Sequence, residues 1–459
     1  MSKLQEQNQP IVSGPILRQM IFFIIPIFLQ SVFQQIYNIS DAVIVGRFLG
    51  TVSLGAINSM SNLTKLFINL FEGIAVGASI MVGQAIGARE AEVARRTVHT
   101  GVAFSLAGGA FLIAVCVPLT PVFMRIMQIP DDMWAYSATY TRIYFIGMVG
   151  SFGYNLGAGI LRAAGDSRRP FFFLAVTCVV NIALDLLFVG ALRWGVAGAA
   201  AATAASQFLS AFLVFRALTR DAGYCRLTPR EVRFDGPTLG RMVRLGLPIG
   251  VSGIMYSVSN ITIQSTINSL GTHTITAWGI QSKADSIVWT MLDSVNVTAS
   301  TFVAQNYGAG SDRRVRESIR KVFLLGAVTV AVMSAALYIF ARPIAFLFLE
   351  DASVVETAAW LIRIFAPFYL AYLFSDVFSA AIRGCGETVR PMILSIIGVC
   401  IFRVLWVVGI TWGGRPATAY NLAIGYPISW AFNSALFTLY FFFGKWRKRL
   451  RGGEKLPAA

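Results

Sequence analysis

Apolar residues recur along the whole chain in long runs broken by short polar segments. A bilayer core about 30 Å thick needs about 20 helical residues to cross. Twelve runs reach or approach that length, at 15–45, 53–86, 94–118, 134–158, 170–190, 195–218, 239–269, 275–306, 318–341, 357–382, 391–411 and 416–444. No stretch between them is long enough for a separate soluble domain. The pattern predicts an all-α polytopic membrane protein with twelve transmembrane helices.

The runs repeat. Gly83-Gln84-Ala85-Ile86-Gly87-Ala88 returns as Ala304-Gln305-Asn306-Tyr307-Gly308-Ala309, with Gln84 and Gln305 221 positions apart. Leu161-Arg162-Ala163-Ala164-Gly165-Asp166 followed by Pro170 returns as Ile382-Arg383-Gly384-Cys385-Gly386-Glu387 followed by Pro391, again at 221, and Arg142 and Arg363 keep the same interval. Three separated features at one offset predict an internal duplication of six spans, and six is even, so both copies share one orientation. The expected organisation is an N-terminal lobe over 1–218, a basic linker over 219–238 and a C-terminal lobe over 239–459. Each half opens with a proline inside its first span, Pro26 and Pro248, one residue off the common interval. Proline removes a backbone hydrogen bond, which makes Pro26 the candidate hinge.

Composition sharpens the class. The chain is 56% hydrophobic and 13% charged, with a mean hydropathy of +0.66; about 25% charged is usual for soluble domains, so an ordinary cytosolic enzyme is excluded. The formal charge of +16 does not point to nucleic acid, because the basic residues sit in short loops. Lys3, Arg18, Arg89, Arg95, Arg96, Arg162, Arg168, Arg169, the 216–244 segment, Arg313 to Lys321, Arg383, Arg390 and Lys445 to Lys455 fall on one side. Only Arg47, Arg125, Arg193, Arg342 and Arg415 fall on the other. The positive-inside rule then places both termini in the cytoplasm and the protein, multi-pass, in the cytoplasmic (inner) membrane, with the bilayer as its standing partner. No cleavage site follows the polar first ten residues, so the first helix is expected to stay. Cys116, Cys178, Cys225, Cys385 and Cys400 show neither disulfide nor zinc spacing. No cofactor is expected, nor any nucleophile with base or phosphate loop of an enzyme, and the chain is expected to act as a monomer.

Charged side chains at membrane depth are costly and face a cavity or a partner. The deep ones are Asp41, Lys65, Glu72 and Asp185 in the first half, and Lys283, Asp285, Asp293, Asp376 and Arg403 in the second. Asn181 precedes Asp185 by four residues, so both project from one helical face, and Tyr37 and Asn38 stand in a similar relation to Asp41. Positions 221 beyond Asn181 and Asp185 hold Phe402 and Trp406, so the lobes have diverged there. Glu72 and Asp293 are equivalent under the shift, which suits a shared architectural role. Lys283, Asp285 and Arg403 are read as interior ion pairs, while Asp285, Asp293 and Asp376 remain the ionisable candidates of the C-lobe. Two carboxylates that meet at low dielectric hold a proton between them or take a cation. Asp41 and Asp185 form such a pair only if spans one and five adjoin, and Asn181 with a nearby hydroxyl then completes a site for H⁺ or Na⁺.

Twelve spans in two lobes, the proline-broken first helix leading to Asp41, and the Gln-x-x-Gly-Ala and Leu-Arg-x-x-Gly-Asp runs resemble the multidrug and toxic compound extrusion (MATE) family, over about residues 12 to 444. Asp41, Asn181 and Asp185 most resemble its DinF-like branch, and Thr203 in span six matches that branch's hydroxyl. Members of the NorM type carry a glutamate early in the seventh helix, and the stretch from Leu247 to Asn260 has no acid. The resemblance implies an antiporter that exports small organic, often cationic, compounds while H⁺ or Na⁺ enters. Alternating access of the lobes would supply the motion, with Gln34, Tyr37 and Asn155 lining the substrate cavity. Two other readings stay open: a flippase for lipid-linked oligosaccharide, which calls for a cationic cavity, and a membrane receptor or scaffold that does not transport.

Overall fold

The computed structural model describes residues 10–412, 418–444 and 446. Of the basic residues used above for orientation, Lys3, Arg415, Lys445 and those from Arg447 to Lys455 lie outside the described residues. The described chain is helical throughout its membrane-length segments. One run, Ile16–Ala88, has a single non-helical residue, Gly50, at φ 81° and ψ −178°. That conformation suits only glycine, and it divides the run into α1 (16–49) and α2 (51–88), inside the gap expected between 45 and 53.

There follow α3 (Ala91–Ile126), α4 (Asp131–Ala163), α5 (Arg168–Asp185, continued by a π-helical turn over Leu186–Ala191), α6 (Gly195–Thr219), α7 (Gly236–Asn268), α8 (Thr272–Gly308) and α9 (Asp312–Ile339). Then come α10 (Ala352–Gly384, with a 3₁₀ turn at Ala366–Phe368), α11 (Val389–Ser395, a π turn over Ile396–Ile401, then Phe402–Trp412) and α12 (Ala419–Phe443). Helices α1 to α11 are each long and apolar enough to cross a membrane. The twelfth has 25 residues with Pro427 inside. Among the described residues the fold is all-α, with twelve membrane-length helices.

The duplication is written in the backbone. Arg89 (φ 62°) and Gly310 (φ 66°), Gly50 and Gly271 (φ 81° and 89°), and Gly165 and Gly386 (φ 94° and 85°) are each 221 positions apart. At Arg89 and Gly310, and at Gly165 and Gly386, the helix ends close with the same bonds. Gly165 N–H donates to Arg162 O and Asp166 N–H to Leu161 O, as Gly386 N–H does to Arg383 O and Glu387 N–H to Ile382 O. These reversed bonds satisfy the last carbonyls of a helix and require the left-handed residue. Beyond the turn, Asp166 pairs with Arg169 and Glu387 with Arg390, at the same offset.

Two compact units emerge, Ile25–Gly250 and, in the other, Ile11–Ile24 with the described residues from Val251 onward. The chain passes from one unit to the other within a turn of Pro26 and within a turn of Pro248. The helix runs through Pro26, which is buried, without leaving helical φ/ψ. Within the first unit α4 packs on α3 and α6, and α5 on α6; within the second, α10 packs on α9 and α12, and α11 on α12. Small residues allow the closest approaches. Gly147 and Gly150 of α4 lie against Ala204 and Gln207 of α6, and Gly73 and Gly77 of α2 meet Gly246 and Gly250 of α7, all in the first unit.

The linker is not a loose tether. Cys225 and Leu227 are buried in the core that holds Val98, Val102 and Leu218, and Asp235 caps α7 by accepting from Thr238 N–H at 3.0 Å.

Candidate functional site

Helices α1 and α5 lie side by side. Cys178 Sγ donates to Phe33 O at 3.7 Å, the Phe33 and Phe171 rings meet edge to face at 5.6 Å, and Ile44, Val45 and Val189 share one core. Near the far end Phe48 reaches Gly190. This adjacency is what a meeting of Asp41 with Asp185 requires, and the two carboxyls do stand within electrostatic reach of each other.

Around them α4 brings Tyr140 and Tyr144, with Thr141 on the turn between them, and α6 brings Thr203 and Gln207, with Ser206 on the same helical face. The Tyr37 hydroxyl faces Thr203, and Tyr37, Tyr140 and Tyr144 are all within reach of Asp41. Asn181 and Asp185 are fully buried, and Thr203 nearly so. Yet both Asp185 oxygens, Oδ1 of Asp41, both polar atoms of Asn181, and the hydroxyls of Thr141 and Ser206 have no hydrogen-bonding partner among the described residues. Buried polar atoms are ordinarily paired, and leaving one unpaired costs about 1–3 kcal/mol. Such a concentration of unpaired oxygens in one place is the chemistry of a site for a hard cation, a proton or water. Directly after Asp185 the helix widens into its π turn, an irregularity frequent at functional sites.

Sequence reasoning missed Tyr140, Thr141, Tyr144, Ser206 and Gln207. The signal for two of them was present: Ser206 and Gln207 follow Thr203 by three and four residues, on its helical face. Among the other sequence candidates, Gln34 and Asn38 are exposed and Asn155 is half-buried. No hydrogen bond from a described residue ties Gln34 or Asn155 to the Asp41 cluster.

In the second unit the expected ion pairs among Lys283, Asp285 and Arg403 do not form. Lys283 is exposed. Asp285 is held by neutral donors: Gln281 Nε2 at 2.8 Å, Trp289 Nε1 at 3.2 Å and Tyr369 Oη at 3.0 Å. Arg403, 1% exposed, instead lies over aromatic faces, 4.2 Å from the Tyr426 centroid and 5.5 Å from that of Tyr256. Its Nε donates to Ser429 Oγ at 3.0 Å. The physical reason is that ring quadrupoles can stabilise a guanidinium, while several N–H and O–H donors can satisfy a carboxylate, so neither needs the other as a partner.

Asp376 forms a different group. Asn296 Nδ2 donates to its carboxylate, and Arg383 Nη2 donates to Asn296 Oδ1 at 2.8 Å. Asp293 is exposed and stands within reach of Arg383, as Glu72 does of Arg162. The two acids and the two arginines are equivalent under the 221 shift. The lobes therefore share the Glu72/Arg162 arrangement and differ at Asp185.

The comparisons with known proteins agree with this architecture. The MatE family model matches residues 26–187 and again 248–408, so the duplicated halves each carry one copy. The chain belongs to the MatE family of multidrug and toxic compound extrusion transporters, which are transporters and not enzymes. Among its relatives, the probable multidrug resistance protein YoeA of Bacillus subtilis (strain 168) is 29% identical over 450 residues, covering 94% of each chain. The probable multidrug resistance protein YpnP of the same organism is 24% identical, covering 95% of this chain and 96% of its own. A solved structure described as the outward-facing conformation of a multidrug resistance MATE family transporter of the MOP superfamily superposes with a TM-score of 0.88 at 22% identity, over 98% of this chain and 99% of that one. The protein is thus a multi-pass membrane transporter of a family that handles small organic compounds.

Proposed function

We propose that the protein is a secondary antiporter that exports organic, often cationic, compounds in exchange for H⁺ or Na⁺, with the coupling ion bound in the N-lobe by Asp41, Asn181, Asp185 and Thr203. The observation that carries this reading is the concentration of buried, unpartnered oxygen atoms around Asp41 and Asp185, in a chain whose family and relatives are multidrug transporters. Two carboxyls this close favour one shared positive charge, so an entering ion and a leaving cationic compound compete for the same negative charge. Competition at one site, coupled to alternating access, is sufficient for exchange, because each ligand then favours a different state.

Tyr37 supplies an aromatic face beside the carboxyls, and Gln34 and Asn155 extend the compound's path along α1 and α4. Pro26 serves as the hinge through which occupancy of the site bends α1. On this reading both termini face the cytoplasm, which the basic loops on one side support, and the protein acts as a monomer in the plasma membrane, its lobes being the repeats 1–218 and 239–459 joined by 219–238. Asp285, Asp293 and Asp376 are the ionisable acids of the second lobe.

The test is efflux of a fluorescent cationic dye from vesicles energised separately by a pH gradient and by a Na⁺ gradient. One gradient is expected to drive the wild-type protein, and Asp41→Asn to lose at least about tenfold of that rate, as a transport step stripped of its charge should. Dye movement under neither gradient, with wild type and variant alike, would overturn the antiport reading.

A further inference from the structure

The 221-residue symmetry exposes a difference between the two units near the linker. In the first unit the chain leaving α6 folds back over α3. Glu231 pairs with Arg95 at 2.6 Å, Thr228 N–H donates to His99 Nε2 at 3.0 Å, and Leu227 joins Val98 and Val102 in the core. The chain's own linker therefore covers this face of α3 with one carboxylate and an apolar residue.

The equivalent positions on α9 are Arg316, Ile319, Arg320 and Phe323, and here they line a cavity of about 310 Å³. Its apolar wall is completed by Phe374, Phe378 and Phe442. Phe374 and Phe442 are 40% and 49% exposed, on a protein whose outer surface faces hydrocarbon. Trp446, the equivalent of Cys225, closes the edge, with its indole N–H donated to Phe441 O at 2.9 Å. The rim is cationic. Lys321, which does not line the cavity, is matched by Glu317, whereas Arg316 lies 3.9 Å from Asp312 and Arg320 makes no ion pair with a described residue.

The sequence differs at the positions that form this cover in the first unit. The equivalents of Leu227, Thr228 and Glu231 are Lys448, Arg449 and Gly452. Where the linker offers an apolar residue and a carboxylate, the sequence at the matching positions has two cations and a glycine, none of them a counter-charge for Arg316 or Arg320.

We infer that this cavity is a binding site for an anionic phospholipid, whose phosphate takes the place on Arg316 and Arg320 that Glu231 occupies on Arg95, and whose acyl chain lies along Phe323, Phe374, Phe378 and Phe442. Guanidinium is the side chain best shaped for phosphate, and the aromatic wall gives the chain a surface continuous with the bilayer. The site is separate from the Asp41 cluster and its occupancy is read without any transport.

The experiment is native mass spectrometry of the full-length protein released from neutral detergent, titrated with phosphatidylglycerol or phosphatidylcholine of matched acyl chains. The wild type is expected to retain phosphatidylglycerol roughly tenfold more strongly, in keeping with two arginines near an anionic headgroup. The double substitution Arg316→Gln/Arg320→Gln is expected to remove that preference, and Lys321→Gln to keep it. Both arginines are exposed, so the double variant should fold, and an unchanged thermal midpoint confirms it; Arg320→Gln alone, expected to lose part of the preference, serves if it does not. Preference that survives the double substitution overturns the site. So does equal displacement by free glycerol phosphate, which would make the headgroup alone the ligand, and so does a dimer that only the wild type forms, which would give the groove to a second copy.

Discussion

At the scale of single residues, Asp185 and Asp235 show how the surroundings of a carboxylate decide its use. Asp185 is buried with neither oxygen bonded, so its charge costs stability and is retained for another reason. Replacing a buried, uncompensated charge by a neutral group of the same shape is neutral or stabilising. Asp185→Asn is therefore expected to hold or raise the thermal midpoint in detergent while abolishing gradient-driven dye efflux. A variant that melts several degrees lower yet still transports would assign Asp185 to structure. Asp235 lies outside the membrane, at the start of α7, and there the hydroxyl and backbone N–H of Thr238 hold its carboxyl below the usual range. A depressed carboxyl stabilises the fold above its ordinary value of about 3.9 and gives that stabilisation up as pH falls through the folded value. Asp235→Asn should leave the midpoint near neutrality little changed and flatten its decline in acid, read as melting curves at a series of pH values down to the limit of the detergent. The neutral amide still caps the helix, so an unaltered acid decline would show that the cap's charge contributes nothing.

Helices set the next scale, and their contacts depend on where the chain has no side chain. Gly73 and Gly77 on α2 and Gly246 and Gly250 on α7 are spaced by four, so each pair faces one way along its helix. A Cβ on Gly77 would stand 2.8 Å from Gly246 N, closer than any real side chain sits. Gly246→Val should therefore force the helices apart and lower stability by about 1–3 kcal/mol or more. Gly240→Ala, on the same helix with nothing within 4 Å, should be neutral or slightly stabilising. Thermal unfolding of both variants checks the pair, and equal midpoints would show that this approach has room to relax. The same spacing was readable in the sequence, but glycine there is compatible with many partners. Which helix α7 meets is not written at that spacing.

Across the whole molecule the duplication makes a quantitative demand. Gly165 and Gly386 occupy matching left-handed positions at φ 94° and 85°, each ending a helix that carries an arginine three residues earlier. A Cβ in that region costs roughly 1–2 kcal/mol, so Gly165→Ala and Gly386→Ala should each lower stability by about that amount. Similar losses are expected in both, because the two turns share their hydrogen bonds. A large loss at one site and none at the other would mean that the repeats no longer share the conformation that their sequences imply.

Twelve spans, the repeat at 221 and the depth of Asp41, Asn181 and Asp185 were all legible along the chain. These are one-dimensional properties: a run of apolar residues crosses a bilayer whatever surrounds it, and a copied segment keeps its left-handed turns because local hydrogen bonds and glycine determine them. The break at Gly50 and the caps at Gly165 and Gly386, not singled out along the chain, rest on the same local physics. Neighbours do not. That α1 runs beside α5, that Tyr140 and Tyr144 arrive from α4, that Arg403 rests on Tyr426 instead of pairing with Asp285, and that the linker covers α3 while the matching face of α9 lines a basic groove were decided only by packing. In a membrane every helix is apolar on most sides and the bilayer gives no inside-facing stripe to read, so partner choice rests on side-chain shape and on polar atoms meeting at a distance, and those are settled in three dimensions.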